Sequence, residues 1–342
     1  MKSLAATCTV LVLLVFAGVA PAEMFLIDDF ESYDVDTTIH LKGIDAGGGG
    51  EGAPRWYSQA NVSFLADSNR AFVVAEGNNK VMRATTQGRT STDPNVHVLA
   101  MSLYDHGIYG QGTIYFRFKH TGGPNDIALQ TNDKWPGWDY GGIETNDINA
   151  PSFQGNCSTF WSQCGAIAFF GGHALGAGSF RGYSGGYKDT PIDTVANEWA
   201  EFWVQVDHAN DRTKYFVCRD GGNPTIIMNP AGGEWWTMRN QTHDNNAVLN
   251  LRFQIGQANS EVSVLWLDDI AVDDSAMTLE RPDVQHEEPL PGDLDDDGDV
   301  DLDDFVILKN AFGVSDAGDC DGDSDTDLDD FVILKNNFGT TA

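Results

Sequence analysis

The feature that constrains this sequence most is a repeat close to its end. The ten residues from Asp301 to Asn310 occur again, unchanged, from Asp327 to Asn336. An identity of this length marks a duplication, and a duplicated segment of this size usually forms a supersecondary unit that packs against its copy. We therefore expect the end of the chain to contain two copies of one small unit.

Each copy opens with aspartate at alternate positions. Alternate carboxylates point into one cavity, Gly298 permits a sharp turn, and the last aspartate closes the shell from the following helix. Ser324 takes the glycine position in the second loop. We therefore expect the backbone of that loop to be strained and its calcium affinity to be lower than that of the first loop. This spacing predicts two EF-hand-like calcium sites. Their ligands are Asp293, Asp295, Asp297, Asp299, Asp301 and Asp304 in the first loop and Asp319, Asp321, Asp323, Asp325, Asp327 and Asp330 in the second.

One helix is predicted after each loop, over 302–312 and 328–338, with Gly313 and Gly339 ending them. Over residues 292–342 the chain resembles a type I dockerin, a module that attaches glycan-active proteins to cohesin-bearing scaffolds. The resemblance implies a cohesin-type protein as partner. The loop positions that carry partner choice in that family, with Val306 and Val332 from the same helical sector, give the predicted partner-binding residues Leu302, Asp303, Val306, Lys309, Asn310, Leu328, Asp329, Val332, Lys335 and Asn336.

Residues 1–22 are predicted to be a secretory signal peptide. Lys2 supplies the positive start, residues 10–20 form an apolar stretch too short to span a bilayer with margin, and Ala20-Pro21-Ala22 fits the cleavage pattern. The alternative is an uncleaved N-terminal anchor. No other apolar run approaches membrane length, so we expect a secreted protein that is extracellular or associated with the cell surface.

Export to an oxidising compartment allows disulfides. Cys157 and Cys164 lie close together in a stretch rich in Gly, Ser and Gln, which predicts a local disulfide between them. We expect Cys218 and Cys320 to be free or buried thiols. The spacing of the cysteines is not that of a zinc site.

The chain is strongly acidic, with 51 Asp plus Glu, 20 Lys plus Arg and a formal net charge of −31. Such a polyanion repels phosphate, which excludes a nucleic-acid binder and disfavours docking on an anionic membrane. Residues 281–291 contain three prolines and no periodicity. This segment is predicted to be a linker between a large domain over 23–280 and the acidic tail over 292–342.

The large domain is predicted to be an all-β antiparallel sandwich. Alternating apolar residues recur over 113–119, 199–206, 249–255 and 262–268, and no long helix is indicated before residue 300. The sequence segments 25–33, 112–120, 197–217 and 265–272 resemble segments of the concanavalin A-like lectin/glucanase jelly rolls, which include laminin-G-like domains. If the first and last strands pair, then Asp28, Asp29, Asp268 and Asp269 converge, either on a structural calcium ion or as solvated carboxylates.

Several aromatic residues lie in loop-like contexts, and such rings stack on the apolar faces of sugars. We predict that the sandwich binds a polysaccharide or glycoconjugate through Trp135, Trp138, Tyr140, Trp235 and Trp236, whereas Trp199, Trp203 and Trp266 pack in the core.

Two other functions stay open. One is a glycoside hydrolase or polysaccharide lyase on the same scaffold. No E-x-D-x-E string is present, however, and Glu198 and Glu201 have opposite strand parity. His173 and His243 are candidates for a catalytic base, but the sequence gives no geometry for either of them. No catalytic residue is therefore assigned. The other alternative is a protein-adhesion module.

Overall fold

A computed structural model describes most of the chain outside its first residues. The described residues are 24–39, 42–44, 55–60, 71–85, 97–121, 127–132, 138–139, 143–144, 165–171, 178–219, 221–239, 247–255, 263–284, 290–295, 298–321 and 325–341. They form antiparallel β-sheets followed by two helices, which confirms the predicted fold class. Within these residues, no helix is long and apolar enough to span a membrane.

Strands account for most of the described residues of the domain. They are β1 (Phe25–Asp28), β2 (Trp56–Ala60), β3 (Ala71–Glu76), β4 (Asn79–Thr85), β5 (His97–Ser102), β6 (Gln111–His120), β7 (Ile127–Asn132), β8 (Trp138–Asp139), β9 (Ile143–Glu144), β10 (Ile167–Gly171), β11 (Ser179–Tyr183), β12 (Tyr187–Pro191), β13 (Ala200–Asp207), β14 (Arg212–Cys218), β15 (Thr225–Ile226), β16 (Trp236–Thr237), β17 (Asn250–Ile255) and β18 (Val264–Asp273).

The strands form two large sheets. Sheet I has the order β15-β14-β13-β6-β18-β4-β3, with β1 also on β18 and β16 also on β14. Sheet II has the order β12-β11-β10-β7-β17-β5-β2, and β8 pairs with β9 separately. All of these pairings are antiparallel. The first and last strands of the domain pair, as predicted.

The core lies between the two sheets. On β6, Phe116 and Phe118 alternate with polar residues and enter the same buried cluster as Leu251 and Phe253 of β17. The rings of Phe116 and Phe253 meet edge to face, with centroids 5.2 Å apart. Because strand side chains alternate between faces, Arg117 and Lys119 of β6 and Arg252 of β17 lie on the outer faces.

His120, at the end of β6, is fully buried and stacks on Phe118 with ring centroids 5.9 Å apart. Burial lowers the pKa of His120 to about 4 from an ordinary value of 6.5. Below pH 6.5 the imidazole of His120 therefore binds a proton in the unfolded chain but stays neutral in the folded chain. Its contribution to the free energy of unfolding is intact above pH 6.5 and is lost progressively as the pH falls towards 4.

We expect acidification from pH 6.5 to pH 4 to cost the sandwich about 3 kcal/mol through His120 alone. Replacing the imidazole in His120→Gln should remove that part of the pH dependence. The measurement is urea unfolding of both proteins at several pH values. Parallel curves for the two proteins would contradict this assignment.

The tail contains two helices, α1 (Leu302–Ala311) and α2 (Leu328–Asn337), each one residue shorter than predicted because Phe312 and Phe338 leave the helical conformation. Asp301 and Asp327 cap the helices, and each accepts a hydrogen bond from a backbone N–H of the first turn.

The two units of the tail pack across each other. The N–H of Gly313, after α1, donates to the carbonyl of Thr326 in the second loop at 2.8 Å. The N–H of Gly339, after α2, donates to Val300 in the first loop at 2.7 Å. Each helix end is thus hydrogen-bonded to the loop of the other unit, as expected of a duplicated unit that packs against its copy.

Glycine makes this close crossing possible. A Cβ on Gly292 would lie 2.8 Å from Leu334 Cα of α2, and a Cβ on Gly318 would lie 2.9 Å from Leu308 Cα of α1. Leu308 and Leu334 are both buried in the small tail core. The glycine before each loop therefore lets the loop rest on the opposite helix.

Candidate functional site

In the first tail loop the predicted ligands gather around Asp304. Carboxylate oxygens of Asp293, Asp295 and Asp304 lie within 4.8 Å of one another, and so do those of Asp299, Asp301 and Asp304. Asp304 is fully buried and accepts hydrogen bonds from the backbone N–H groups of Leu294, Asp295 and Asp301. Five of the six predicted ligands are thus brought together, and Asp297 lies outside the described residues.

The second loop repeats this geometry. Oxygens of Asp319, Asp321 and Asp330 lie within 4.8 Å of one another, as do those of Asp325, Asp327 and Asp330. The buried Asp330 accepts from the backbone of Cys320, Asp321 and Asp327. Asp323 and Ser324 lie outside the described residues.

The donor set fits a hard divalent cation. The described part of each loop gathers carboxylate oxygens around one buried carboxylate, which backbone N–H groups hold in position. Calcium takes six to eight oxygen ligands, whereas zinc prefers nitrogen and sulfur. An ion bound here would relieve the repulsion between the gathered carboxylates.

The predicted partner residues lie on the surface of the tail. Leu302 and Leu328 are 65% and 62% exposed, and Val306 and Val332 are 49% and 45% exposed. The other predicted residues are exposed as well, namely Asp303, Lys309, Asn310, Asp329, Lys335 and Asn336. Each helix therefore turns the same side chains outwards, while Leu308 and Leu334 face the tail core.

Trp135 and Tyr140 lie outside the described residues, as do Cys157 and Cys164 of the predicted disulfide. The backbone of Trp138 forms β8, which pairs with β9.

The prediction that Trp236 contacts glycan is wrong. This residue is fully buried, and its indole N–H donates to the carbonyl of Ile227 at 2.9 Å. Its ring meets Phe180 with centroids 5.3 Å apart and rests on Gly182, where a Cβ would lie 2.5 Å from the indole. Trp236 is a core residue because the glycine opposite leaves room for its ring.

Trp235 is half-buried on the outer side of sheet I. Arg212 Cζ lies 3.8 Å and Lys214 Nζ 4.6 Å from its ring centre. Arg212 and Lys214 project from the same face of β14, so both contact the ring from the side of the sheet.

Two of the tryptophans predicted for the core also differ from expectation. Trp203 is buried, as predicted, but Trp199 and Trp266 are half-buried on the outer face of sheet I. Lys119 Nζ lies 5.0 Å from the ring centre of Trp199 and 4.9 Å from that of Trp266. The apolar alternation alone does not distinguish the inner from the outer face here, because the outer face is also aromatic.

The carboxylates at the first and last strands do not form a metal cluster among the described residues. Asp28 accepts hydrogen bonds from Trp56 Nε1 at 2.6 Å and Tyr33 Oη at 3.0 Å, and burial raises its pKa. Asp268 and Asp269 instead face Arg117 of β6, at 3.4 and 3.2 Å. Asp29 accepts from the N–H of Glu31. Each of these four carboxylates thus has a partner within the protein.

The acidic residues of β13 are also engaged. Glu201 accepts from Arg281 and from Tyr115 Oη, the latter at 2.9 Å, and Asp207 pairs with Arg212 at 2.8 Å. Arg281, a residue of the predicted linker, thus binds Glu201 on the outer face of sheet I.

Both described cysteines are free, as predicted. Cys320 occupies the position of Leu294 in the other unit and packs in the tail core. Burial and the nearby Asp330 raise the pKa of its thiol to about 11. Cys218 is buried on β14.

The outer face of sheet II carries an aromatic cluster that sequence patterns alone did not single out as one site. Tyr183 and Tyr187 are paired in register on β11 and β12, and their rings meet edge to face at 5.6 Å. Phe169 of β10 lies 5.7 Å from Tyr187, and Arg239 Cζ lies 5.7 Å from that ring. Tyr187 is 40% exposed. Only the strand register shows that these aromatics meet.

Polar residues share this face. Arg252 and Asn250 of β17 alternate with core residues and are buried on the outer side, and Ser102 pairs with Asn250 in register. Arg181 and Asp189 form an ion pair beside the tyrosines, at 2.5 Å. Because a buried charge requires polar neighbours, this face is polar as well as aromatic.

No family model and no curated protein matches the chain. Among solved structures, it is similar to the catalytic domain of the glycoside hydrolase family 131 protein from Coprinopsis cinerea, at 8% identity and a TM-score of 0.42, covering 76% of this chain and 98% of that one. It is also similar to the Lotus tetragonolobus seed lectin, at 10% identity and a TM-score of 0.37, covering 72% and 98%.

A sialidase is similar at 8% identity and a TM-score of 0.40, covering 64% of this chain, which spans only 17% of the sialidase. Likeness at this level assigns no activity to the chain.

Proposed function

We propose that this is a secreted modular protein. Its β-sandwich binds a polysaccharide or glycoconjugate, and its tail docks onto a cohesin-type protein as a calcium-dependent dockerin. Calcium in each loop would be held by the gathered aspartates.

The observation that carries the docking function is the identical outer surface of α1 and α2. Leu302 and Leu328, with the valine one turn further on, form an exposed apolar patch on each helix, bordered by Lys309 or Lys335. The internal core of the tail uses other side chains. An exposed apolar patch bordered by charge is typical of a protein interface.

The saccharide function is supported by the outer face of sheet II. Tyr183 and Tyr187 supply aromatic faces, and the Arg181–Asp189 pair supplies a donor and an acceptor beside them. A sugar uses both kinds of group, since its C–H faces stack on rings and its hydroxyls form hydrogen bonds.

Of the aromatic residues predicted from sequence, Trp138 lies on β8, which pairs with β9 apart from the two large sheets. Trp135 and Tyr140 lie outside the described residues and stay predicted saccharide contacts.

Removing one aromatic ring tests the saccharide function. In the chain beginning at Glu23, Tyr187→Ala is expected to reduce retention on the polysaccharide that binds best in a panel by about tenfold, since stacking is worth about 1 kcal/mol or more. Tyr109, which is 65% exposed elsewhere on the domain, supplies the matched control Tyr109→Ala. Equal retention of both variants would place the site away from sheet II.

A further inference from the structure

A groove of about 740 Å³ lies on the outer face of sheet I. Its floor and walls come from β6, the start of β13 and the residues that follow β18, and they include Trp199, Arg117, Lys119, Asn197 and Glu198. Its size falls within the usual range for sites of small ligands. It lies on the opposite sheet from the site proposed above.

Trp199 gives this groove an ordered aromatic surface. Arg117 Cζ and Lys119 Nζ each lie 5.0 Å from its ring centre, and its indole N–H donates to Glu76 Oε1 at 3.2 Å. Arg117 and Lys119 project from the same face of one strand, so both support the ring from the side of the sheet. The ring is held by three contacts before any ligand arrives, which lowers the entropic cost of stacking on it.

The charges in the groove balance one another. Each lining carboxylate faces a cation, in the pairs Arg117–Asp269, Lys119–Glu76, Arg281–Glu201 and Arg219–Glu198. The rim adds polar groups that reach the solvent. Asn197 is exposed and adopts a left-handed backbone with φ of 65°, and Glu198 next to it is exposed as well.

These features select the class of ligand. A supported indole beside paired polar groups suits a pyranose ring, because stacking uses the apolar face and the rim bonds the hydroxyls. An acidic saccharide is disfavoured, because the groove holds no uncompensated cation among its described residues and the chain carries a net charge of −31.

We propose that the groove is a second saccharide site, specific for neutral sugars, in which a pyranose stacks on Trp199 and bonds to Asn197 and Glu198. This inference rests on the proposed saccharide function of the sandwich but not on the site on sheet II.

The experiment is calorimetric titration of the chain beginning at Glu23 with neutral hexasaccharides of β-linked glucose, xylose and mannose, and with hexagalacturonate as the acidic comparison. Tyr109 provides the control, because it is 65% exposed and does not line the groove. We expect Trp199→Ala to raise the Kd for a neutral hexasaccharide about tenfold and Tyr109→Ala to change it less than twofold.

Further variants separate loss of the site from loss of the fold. Trp199→Phe keeps a ring and should retain most of the affinity. Asn197→Gly removes the side chain without opposing the positive φ, and it should weaken binding about threefold, the scale of one neutral hydrogen bond. Unchanged affinity in both Trp199→Ala and Asn197→Gly would overturn the proposal, as would tighter binding of hexagalacturonate or no binding of any neutral hexasaccharide.

The same titrations distinguish this site from the one on sheet II. Neutral binding that Tyr187→Ala removes and Trp199→Ala spares would reject the groove and leave the proposed function in place. Binding that only Trp199→Ala removes would support the groove and reject the site on sheet II.

Discussion

The double variant Lys309→Glu/Lys335→Glu reverses the charge at both exposed lysines of the tail. It is expected to abolish binding to a cohesin-type partner. Each single variant should keep its affinity within about threefold, because the untouched helix still presents a complete surface and the loss is statistical, below about 1 kcal/mol. The double variant places negative charge on both surfaces of a tail that already holds sixteen aspartates and two lysines.

The measurement is calorimetric titration of the full chain against a panel of purified cohesin modules. The patch residues lie on the surface and not in the tail core, so the variants should fold, which the unchanged protection of α1 and α2 in hydrogen exchange would verify. Complete loss from one single variant would show that only one helix binds. Full affinity in the double variant would show that the partner contacts another surface.

Removing calcium is expected to unfold the tail while the sandwich stays folded. Two carboxylates 4.8 Å apart repel each other by about 3 kcal/mol at an effective dielectric constant of 20, and each loop gathers several such pairs within that distance. This repulsion is large compared with the total stability of a small domain. A bound cation removes it, so folding and binding are coupled.

Hydrogen exchange of the full chain with and without chelator measures this effect. Protection of α1 and α2 should disappear in chelator, and protection of β6 and β13 should persist. Asp304→Asn should reproduce part of the loss in the presence of calcium, whereas Asp316→Asn, at an exposed aspartate outside both loops, should not. Equal protection of the helices with and without chelator would contradict a calcium-dependent tail.

The tail could be predicted closely because its site is local. The ligands, caps and helices lie within about a dozen residues of one another, so alternate spacing and helical periodicity fix which side chains meet. Asp304 and Leu302, for example, differ in burial as their helical positions predict.

The sandwich site could not be predicted in the same way, because its residues meet only through strand order. Trp235 and Trp236 are adjacent in sequence. Trp236 nevertheless packs in the core opposite Gly182, whereas Trp235 lies on the outer side of sheet I against Arg212. Tyr183 and Tyr187 become one cluster with Phe169 only once β10, β11 and β12 are known to be neighbours. The alternation of side chains divides a strand into two faces, but it does not show which of them packs against the other sheet.

The number of calcium ions bound by the full chain tests the account most directly. Calorimetric titration of the calcium-free protein should give two ions per chain, with the second loop weaker. Asp304→Asn and Asp330→Asn should each remove one of them, because each carboxylate is the buried centre of one loop. No binding by the unmodified chain, or two ions still bound by the double variant, would contradict a calcium-dependent docking module.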